Sequence, residues 1–298
     1  MAKLSVVINA QNVEKDLPQA LASVKDLADE IVVIDQGSTD GTAKIAEKFG
    51  AKIYKHEQVT HVELARNFAI GKATGDWILI LDPDEEVGKD LALEIKRVIK
   101  VDKADYYRVP RKNIVFGKWL QYSRWWPDYN IRLFKKGKVS WNEVIHAVPM
   151  TLGDGADIDS EEKFAIVHNH YTSIEQYLER MNRYSSQQAL EKVSGGYKFV
   201  WKDIVVKPIG EFLSRYFFGE GYKDGLHGLV VSLLQAFSEL VIYLKVWQDG
   251  KYKDIPVSLG EINSLLRSQE KDLHYWQNDA VFKKTGKFTD RVKRKLRI

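Results

Sequence analysis

The chain has 298 residues, of which 44% are hydrophobic and 29% are charged, and its formal net charge is +4. This length suits one large domain or two smaller ones with a real core. The absence of cysteine excludes disulfide bonds and thiolate metal sites. The first apolar run, residues 4–8, is too short for a secretory signal, and no cleavage pattern follows it. We therefore expect a cytoplasmic protein.

The first third of the chain alternates predicted strands with predicted helices. Continuous apolar runs predict strands at Leu4–Ala10, Glu30–Asp35 and 77–81, and a short strand is predicted at Lys52–Lys55. Helical spacing of apolar residues predicts helices at 17–24, 42–49 and 61–73. This alternation indicates βαβ units, so we predict an α/β, Rossmann-like fold with a mostly parallel central sheet and flanking helices. The sequence contains neither a G-x-G-x-x-G after a strand nor a P-loop, which disfavours dehydrogenases and P-loop enzymes.

Acidic residues follow two of the predicted strands. Asp35 ends the second strand, and Asp82 and Asp84 directly follow the strand that ends at Leu81. Ligands of parallel sheets bind beyond the carboxyl ends of the strands. Two carboxylates one residue apart can bind a hard divalent cation that in turn holds a phosphate. Taken alone, such acids are also common in ordinary turns after strands.

Four motifs in this order resemble glycosyltransferase family 2, whose members have the GT-A fold. They are the strand Leu-Ser-Val-Val-Ile, the segment Ile-Val-Val-Ile-Asp-Gln-Gly-Ser-Thr-Asp-Gly-Thr, the triplet Ala65-Arg66-Asn67 and the acidic turn Leu81-Asp82-Pro83-Asp84-Glu85. Further downstream, Arg132-Leu133-Phe134 and Asn182-Arg183-Tyr184-Ser185 are similar to the lipopolysaccharide core β-1,4-glucosyltransferase subgroup. The resemblance covers roughly residues 3–250 and implies a metal-dependent hexosyltransferase that uses a nucleotide-sugar, with a UDP-sugar such as UDP-glucose as the expected donor.

The resemblance assigns roles to residues at the strand ends. Asp35 would accept hydrogen bonds from the uracil or ribose of the donor, and Asn9 would line the same pocket. Arg66 would reach the nucleotide or its diphosphate, because a guanidinium matches phosphate in charge and shape. Gln36 departs from the family pattern, which has an acid or a serine there.

The resemblance also implies a bound cation, Mg²⁺ or Mn²⁺. Asp82 and Asp84 form the D-x-D motif, and both are expected at the metal. In the family the second acid binds the metal, and the first contacts ribose or metal-bound water. A later histidine, His168, would be a further metal ligand. His170 lies two residues on and would point to the same face of a strand.

The sequence offers two candidates for the catalytic base. Many relatives have His-Glu where this chain has His146-Ala147. The nearest acids are Glu143, which we favour, and Asp128. Trp125 and Trp126 would either stack on a sugar or serve as ordinary packing residues.

The last third of the sequence has helical periodicity throughout. We expect a GT-A domain at 1–172 and a helical region at 173–298. The apolar stripe 226–244, the aromatic and cationic segment 212–223 and a basic tail favour association with the anionic inner face of the cytoplasmic membrane. A structural cap over the catalytic domain is the other interpretation of these helices.

The expected reaction is inverting transfer to a lipid-linked acceptor, such as a glycolipid, or to a cell-envelope polysaccharide. The alternative is a catalytically degenerate GT-A domain that only binds sugar or membrane. No nucleic-acid-binding signature is present, so no nucleic acid is expected as a partner.

Overall fold

The computed structural model describes residues 2–58, 63–141 and 149–297. These residues form two compact units. The first unit comprises Met1–Ile114 and Pro127–His170, and the second comprises Val115–Trp126 and Tyr171–Ile298. The division into domains at residue 172 stays a prediction.

The first unit is built on a mixed β-sheet with helices on both faces. Its strands are β1 (Leu4–Ala10), β2 (Glu30–Asp35), β3 (Lys52–Lys55), β4 (Trp77–Ile80), β5 (Glu85–Val87) and β6 (Tyr106–Val115). The short strand β7 (Lys118–Trp119) falls in the second unit, and β8 (Asp128–Lys135), β9 (Val139–Ser140), β10 (Met150–Thr151), β11 (Gly155–Asp157) and β12 (Ile166–Tyr171) follow. The helices of the first unit are α1 (Leu17–Val24), α2 (Thr42–Lys48), α3 (Glu63–Lys72) and α4 (Lys89–Val101).

The strand order of the main sheet is β3-β2-β1-β4-β8-β6-β12-β5. The strands from β3 to β4 are parallel, as the alternating sequence predicted. Beyond β4 these strands pair mainly antiparallel, since β8 runs against both β4 and β6, and β12 runs against β5. Off this path, β11 pairs with β6 in parallel. The α/β fold and the strands of the first third are therefore confirmed. Residues 61 and 62 of the predicted third helix lie outside the described residues.

Both faces of β1 and β4 and most of β2 are buried, which explains the continuous apolar sequences of these three strands. All seven residues of β1 are buried. One face packs against α1 and α4, whose apolar residues repeat at helical spacing. The other face packs against Ala69, Ile70 and Ala73 at the end of α3. Helix packing on both faces leaves the strand ends as the place where polar side chains can gather.

The second unit is helical. Its helices are α5 (Ile174–Ser194), α6 (Asp203–Leu213), α7 (Leu226–Asp249), α8 (Leu259–Thr285) and α9 (Phe288–Leu296), with a π-helical turn at Ser214–Phe218. Helix α7 is long and apolar enough to cross a membrane, but core helices of water-soluble proteins can meet the same criterion. That property alone is weak evidence for a membrane span.

Candidate active site

The acidic turn after β4 is held in shape by a buried glutamate. The Glu85 side chain is fully buried, and its Oε2 accepts a hydrogen bond from the Asp82 backbone N–H at 2.9 Å. The Glu85 backbone N–H donates to the Asp82 carbonyl at 3.0 Å, which closes the turn. Sequence reasoning treated Glu85 as one acid among four. The structure gives it a supporting position beneath the D-x-D residues.

Asp82 lies between two arginines. Arg132 Nη2 is 2.6 Å from Asp82 Oδ2, and Arg66 Nη2 is 3.5 Å from Asp82 Oδ1. Burial alone would raise the pKa of Asp82, but the positive charges of Arg132 and Arg66 outweigh it and hold that pKa well below its usual value. Asp82 is therefore a carboxylate at neutral pH, and both of its oxygens face guanidinium groups.

Arg132 is itself a buried cation. Its side chain is only 3% exposed, and Nη2 also lies 2.5 Å from Glu85 Oε1. Burial favours the neutral form, yet the charges of Asp82 and Glu85 raise the pKa of Arg132 above its usual value. Sequence reasoning quoted Arg132 as part of a family motif without giving it a role. The structure places it as the shared partner of two acids of the turn.

His168 faces Asp84 across the sheet edge. The register of β12 and β5 pairs His168 with Glu85, and the Asn169 backbone N–H donates to the Asp84 carbonyl at 2.9 Å. This pairing leaves His168 Nε2 3.7 Å from Asp84 Oδ2. His170 also lies on β12, as expected, and its Nδ1 is 3.2 Å from His168 Nε2.

Asn113 fixes the tautomer of the His168 ring. Its Oδ1 can only accept, so His168 Nδ1 is the donor of the 2.6 Å hydrogen bond between them. Asn113 Nδ2 donates in turn to Asp128 Oδ2 at 3.1 Å, which sets the orientation of the amide. In the neutral ring the lone pair is then on Nε2, which accepts from His170 Nδ1 at 3.2 Å and lies 3.7 Å from Asp84 Oδ2. Sequence reasoning missed Asn113, because nothing in its neighbourhood on β6 marks it.

Asp128 anchors this set of contacts. Its Oδ2 accepts from Arg111 Nε at 2.9 Å and from Arg111 Nη2 at 2.6 Å, and its Oδ1 accepts from Asn130 Nδ2 at 3.1 Å. Burial would raise the pKa of Asp128, but the charge of Arg111 and these hydrogen bonds lower it. A carboxylate stabilised in this way is a weak proton acceptor.

The proposed donor-pocket residues lie at the carboxyl ends of neighbouring strands. The parallel register pairs Asn9 of β1 with Ile34 of β2, and Ala10 with Asp35. Asn9 and Asp35 are both buried, and Asp35 Oδ1 accepts from the Ser38 backbone N–H at 2.9 Å. Within the described part of the chain, Asn9 Oδ1 is buried without a hydrogen-bond partner. An unsatisfied buried acceptor is costly, so this atom is suited to a donor group from a ligand.

The described residues contain no group of three or more histidine, aspartate or glutamate side chains that could hold a metal ion. They do offer one carboxylate and one imidazole, from Asp84 and His168. Neighbouring ligands of a six-coordinate ion with bonds of about 2.1 Å lie roughly 3 Å apart. The 3.7 Å separation between Asp84 Oδ2 and His168 Nε2 is close to that spacing. One carboxylate and one imidazole at this separation fit a divalent cation, and the other ligands would have to come from outside these two side chains.

The remaining predicted site residues are Glu143, Trp125 and Trp126. Glu143 falls within 142–148, outside the described residues. Trp125 and Trp126 belong to the second unit. Trp126 packs edge-on against Trp119 at 5.2 Å between ring centroids, and the Arg215 guanidinium lies 6.0 Å from the Trp125 ring. Their roles toward a sugar stay predictions.

Comparisons with known proteins define the class of this chain. The family description "Glycosyl transferase family 2" matches residues 5–152. An uncharacterised glycosyltransferase of Rickettsia typhi is 31% identical over 83% of this chain and 87% of its own length. The lipopolysaccharide core biosynthesis glycosyltransferase LpsC of Rhizobium meliloti is 24% identical over 85% of this chain and 95% of its own length.

Among solved structures, S. aureus TarS 1–349 in complex with UDP aligns with 87% of this chain and 95% of that chain. The sequence identity is 15% and the TM-score is 0.44. The sequence matches suffice for the class. The chain belongs to glycosyltransferase family 2, and its first unit has the α/β architecture that the family resemblance implied.

Proposed function

We propose that this glycosyltransferase moves a hexose from a UDP-sugar to a lipid-linked or cell-envelope polysaccharide acceptor, with inversion and with the help of a divalent cation. The observation that carries this proposal is the convergence of Asp82, Asp84 and His168 at one sheet edge, beside the buried strand ends at Asn9 and Asp35. The name of the Rhizobium meliloti relative supports an acceptor of the lipopolysaccharide type.

The donor would bind along the strand ends. Asn9 Oδ1 would accept from the uracil N–H, and Asp35 would accept from the ribose hydroxyls. Arg66 would hold the diphosphate, since a planar guanidinium can donate two hydrogen bonds to phosphate oxygens. Asp82, which the sequence placed among the metal ligands, faces Arg66 and Arg132. We therefore assign Asp82 to the ribose or to metal-bound water.

The cation would be held by Asp84 Oδ2 and His168 Nε2. When bound, Mg²⁺ or Mn²⁺ neutralises charge on the diphosphate and so makes the nucleoside diphosphate a better leaving group. This chain's own residues orient the site around it. Asn113 keeps the His168 lone pair on Nε2, and Asp128 and Arg111 keep Asn113 in place.

A screen of UDP-sugars tests the proposal directly. Purified protein is given each donor with Mn²⁺ or Mg²⁺ and a membrane-lipid extract as acceptor, and released UDP is measured. We expect release with at least one UDP-hexose, and none in excess EDTA. A protein that binds UDP-sugars without any turnover in this screen would be the degenerate sugar-binding alternative.

Changing Asn113 tests the geometry around the metal site. We expect Asn113→Ala to weaken Mn²⁺ binding by about 10–100-fold, because loss of an outer-shell partner frees the histidine ring to turn. Asn130→Ala is the matched control, since Asn130 donates to Asp128, and no hydrogen bond joins it to His168 among the described residues. Mn²⁺ affinity is measured by electron paramagnetic resonance or calorimetry. Equal loss in both variants would mean that Asn113 acts only through general stability.

Changing Glu143 tests the predicted base. We expect Glu143→Gln to lower turnover by about 10²-fold while Mn²⁺ affinity stays normal, because a general base acts only on the acceptor hydroxyl. Asp128→Asn should instead weaken Mn²⁺ binding, since Asp128 orients Asn113. The base would instead be Asp128 if two results occur together. Glu143→Gln would keep a near-normal rate, and Asp128→Asn would lose turnover while it still binds Mn²⁺. NMR of the product checks inversion.

The acceptor side is proposed to lie at the membrane. Four large apolar residues of α7 are exposed and share one line along the helix at intervals of seven, four and seven residues: Leu226, Leu233, Phe237 and Leu244. Phe218 of the π-helical turn is 58% exposed as well. Exposed apolar side chains near aromatic and cationic residues are typical of proteins that bind the membrane interface. We propose a peripheral location on the inner face of the cytoplasmic membrane.

A further inference from the structure

Helix α9 presents an apolar stripe to solvent. Phe288 is 74% exposed, Val292 is 37% exposed and Leu296 is 61% exposed. Residues four apart lie on one face of a helix, so these three side chains form a continuous stripe along the whole helix. Exposed aromatic and aliphatic residues in a row are unusual on a surface that only faces water.

The opposite face of α9 is tied to α8. Arg294 Nη1 lies 2.6 Å from Asp279 Oδ1, and Arg297 Nη1 lies 2.9 Å from Asp272 Oδ1. Asp290 Oδ2 accepts a hydrogen bond from Thr285 Oγ1. Asp290 and Arg294 are half-buried, whereas the apolar stripe is exposed. The stripe is therefore held on the side of α9 that faces away from α8.

Exposed cations border the stripe. On and just before α9 they are Lys284, Lys287, Arg291, Lys293 and Lys295. No ion pair is recorded for these five within the part of the chain that the structure describes, in contrast to Arg294 and Arg297. Lysine and arginine beside an apolar helical stripe match the two layers of an anionic lipid surface, which are headgroup phosphates above acyl chains.

We infer that α9 lies in the interface of an anionic bilayer, with Phe288, Val292 and Leu296 in the acyl layer and the bordering cations at the headgroups. This inference rests on the proposed membrane location and names the element that makes the contact. The α8 pairings hold the helix in place before binding, which lowers the entropy cost of ordering it at the membrane.

Vesicle binding tests the stripe. Full-length protein is sedimented with vesicles of phosphatidylglycerol and phosphatidylcholine, at low and high salt. We expect Phe288→Ser, Val292→Ser and Leu296→Ser together to reduce partitioning by at least about tenfold. The matched control is Leu93→Ser with Leu152→Ser, which removes apolar side chains that are 67% and 65% exposed on the first unit. It should bind like the wild type.

A second measurement reports insertion itself. Because the chain has no cysteine, Val292→Cys and Leu93→Cys can each be labelled at a single position with an environment-sensitive dye. We expect anionic vesicles to shift the emission of the Val292 label to the blue and to leave the Leu93 label unchanged. Binding should weaken at high salt and on deletion of residues 283–298.

The outcomes separate the inference from the proposals beneath it. If the wild type does not bind anionic vesicles, the membrane location is wrong and the inference falls with it, while UDP release still tests glycosyl transfer. If the wild type and the triple serine variant bind equally, the location stands and α9 is not the contact. A blue shift that grows with protein concentration without vesicles would show that a second copy covers the stripe instead, and it would overturn the inference.

Discussion

Asp84→Asn is expected to reduce glycosyl transfer by at least about 10³-fold, equivalent to about 4 kcal/mol of transition-state stabilisation. Asp84 Oδ2 faces His168 Nε2, and an amide oxygen at this position carries no charge for a divalent cation. The side chain is 16% exposed and the substitution keeps its shape, so we expect the melting temperature to change little. UDP release measures turnover, and calorimetry with Mn²⁺ measures the loss of the metal.

Glu86→Gln is the matched control for this experiment. Glu86 belongs to the same acidic turn, and its Oε1 accepts from Asn169 Nδ2 at 3.1 Å, but it makes no recorded contact with His168 among the described residues. The same change from carboxylate to amide should leave Mn²⁺ affinity and turnover near those of the wild type. Full activity of Asp84→Asn, or of the wild type in excess EDTA, would rule out the proposed metal site.

The parallel half of the fold follows closely from local sequence pattern. Continuous apolar runs predicted β1 and β2 at their observed bounds, because strands covered by helices on both faces need apolar residues at every position. The same reasoning predicted that Asp35 and the D-x-D acids would meet at one edge. Parallel strands put their carboxyl ends together whatever the details of the turns.

The antiparallel half of the sheet could not be predicted in the same way. Its key contacts join residues far apart in the chain, such as Asn113 with His168, or Arg132 with Glu85. Their positions depend on the register of β6, β8 and β12, and a shift of one residue would turn each side chain to the other face. The family resemblance therefore marked His168, but nothing in the sequence gave a reason to select Asn113.

Glu85 and Arg132 show a related limit of sequence reasoning. The sequence predicts that an acid in a polar turn is exposed to solvent. Glu85 is nevertheless fully buried, because Arg132 of β8 pairs with it. Charged residues are almost never fully buried without a partner, and the partner lies 47 residues away in sequence. Such a pair is visible only once the strands are assembled.

Arg132→Met is expected to destabilise the protein by about 3–5 kcal/mol, since it removes the partner of a buried carboxylate and leaves that charge uncompensated. Among the described residues, Glu85 would then keep the more distant Arg111 Nη1, at 3.4 Å, as a charged partner and the Asp82 backbone N–H, at 2.9 Å, as a hydrogen-bond donor. Asp82 would lose its 2.6 Å ion pair and keep Arg66 at 3.5 Å. The free energy of unfolding is measured in urea at pH 7.

The Arg132→Met substitution should also change how the stability of the protein depends on pH. In the wild type the folded-state pKa of Asp82 lies well below the unfolded value of about 3.9. The stability that this ion pair contributes is therefore fully present above about pH 4 to 5, and it is lost as the pH falls through the folded pKa. In Arg132→Met the pKa of Asp82 rises toward or above its unfolded value, so mild acid should cost the variant less stability than it costs the wild type.

The double variant Arg132→Met with Glu85→Gln separates charge from packing. If the uncompensated carboxylate causes most of the loss, replacing it with a neutral amide should recover a large part of the stability, because the amide costs far less to bury than a charge does. If the double variant is as unstable as Arg132→Met alone, the lost packing and the lost hydrogen bonds of the guanidinium dominate. In that case Arg132 stabilises the turn through packing and hydrogen bonds, and its ion pairs with Asp82 and Glu85 contribute little net stability.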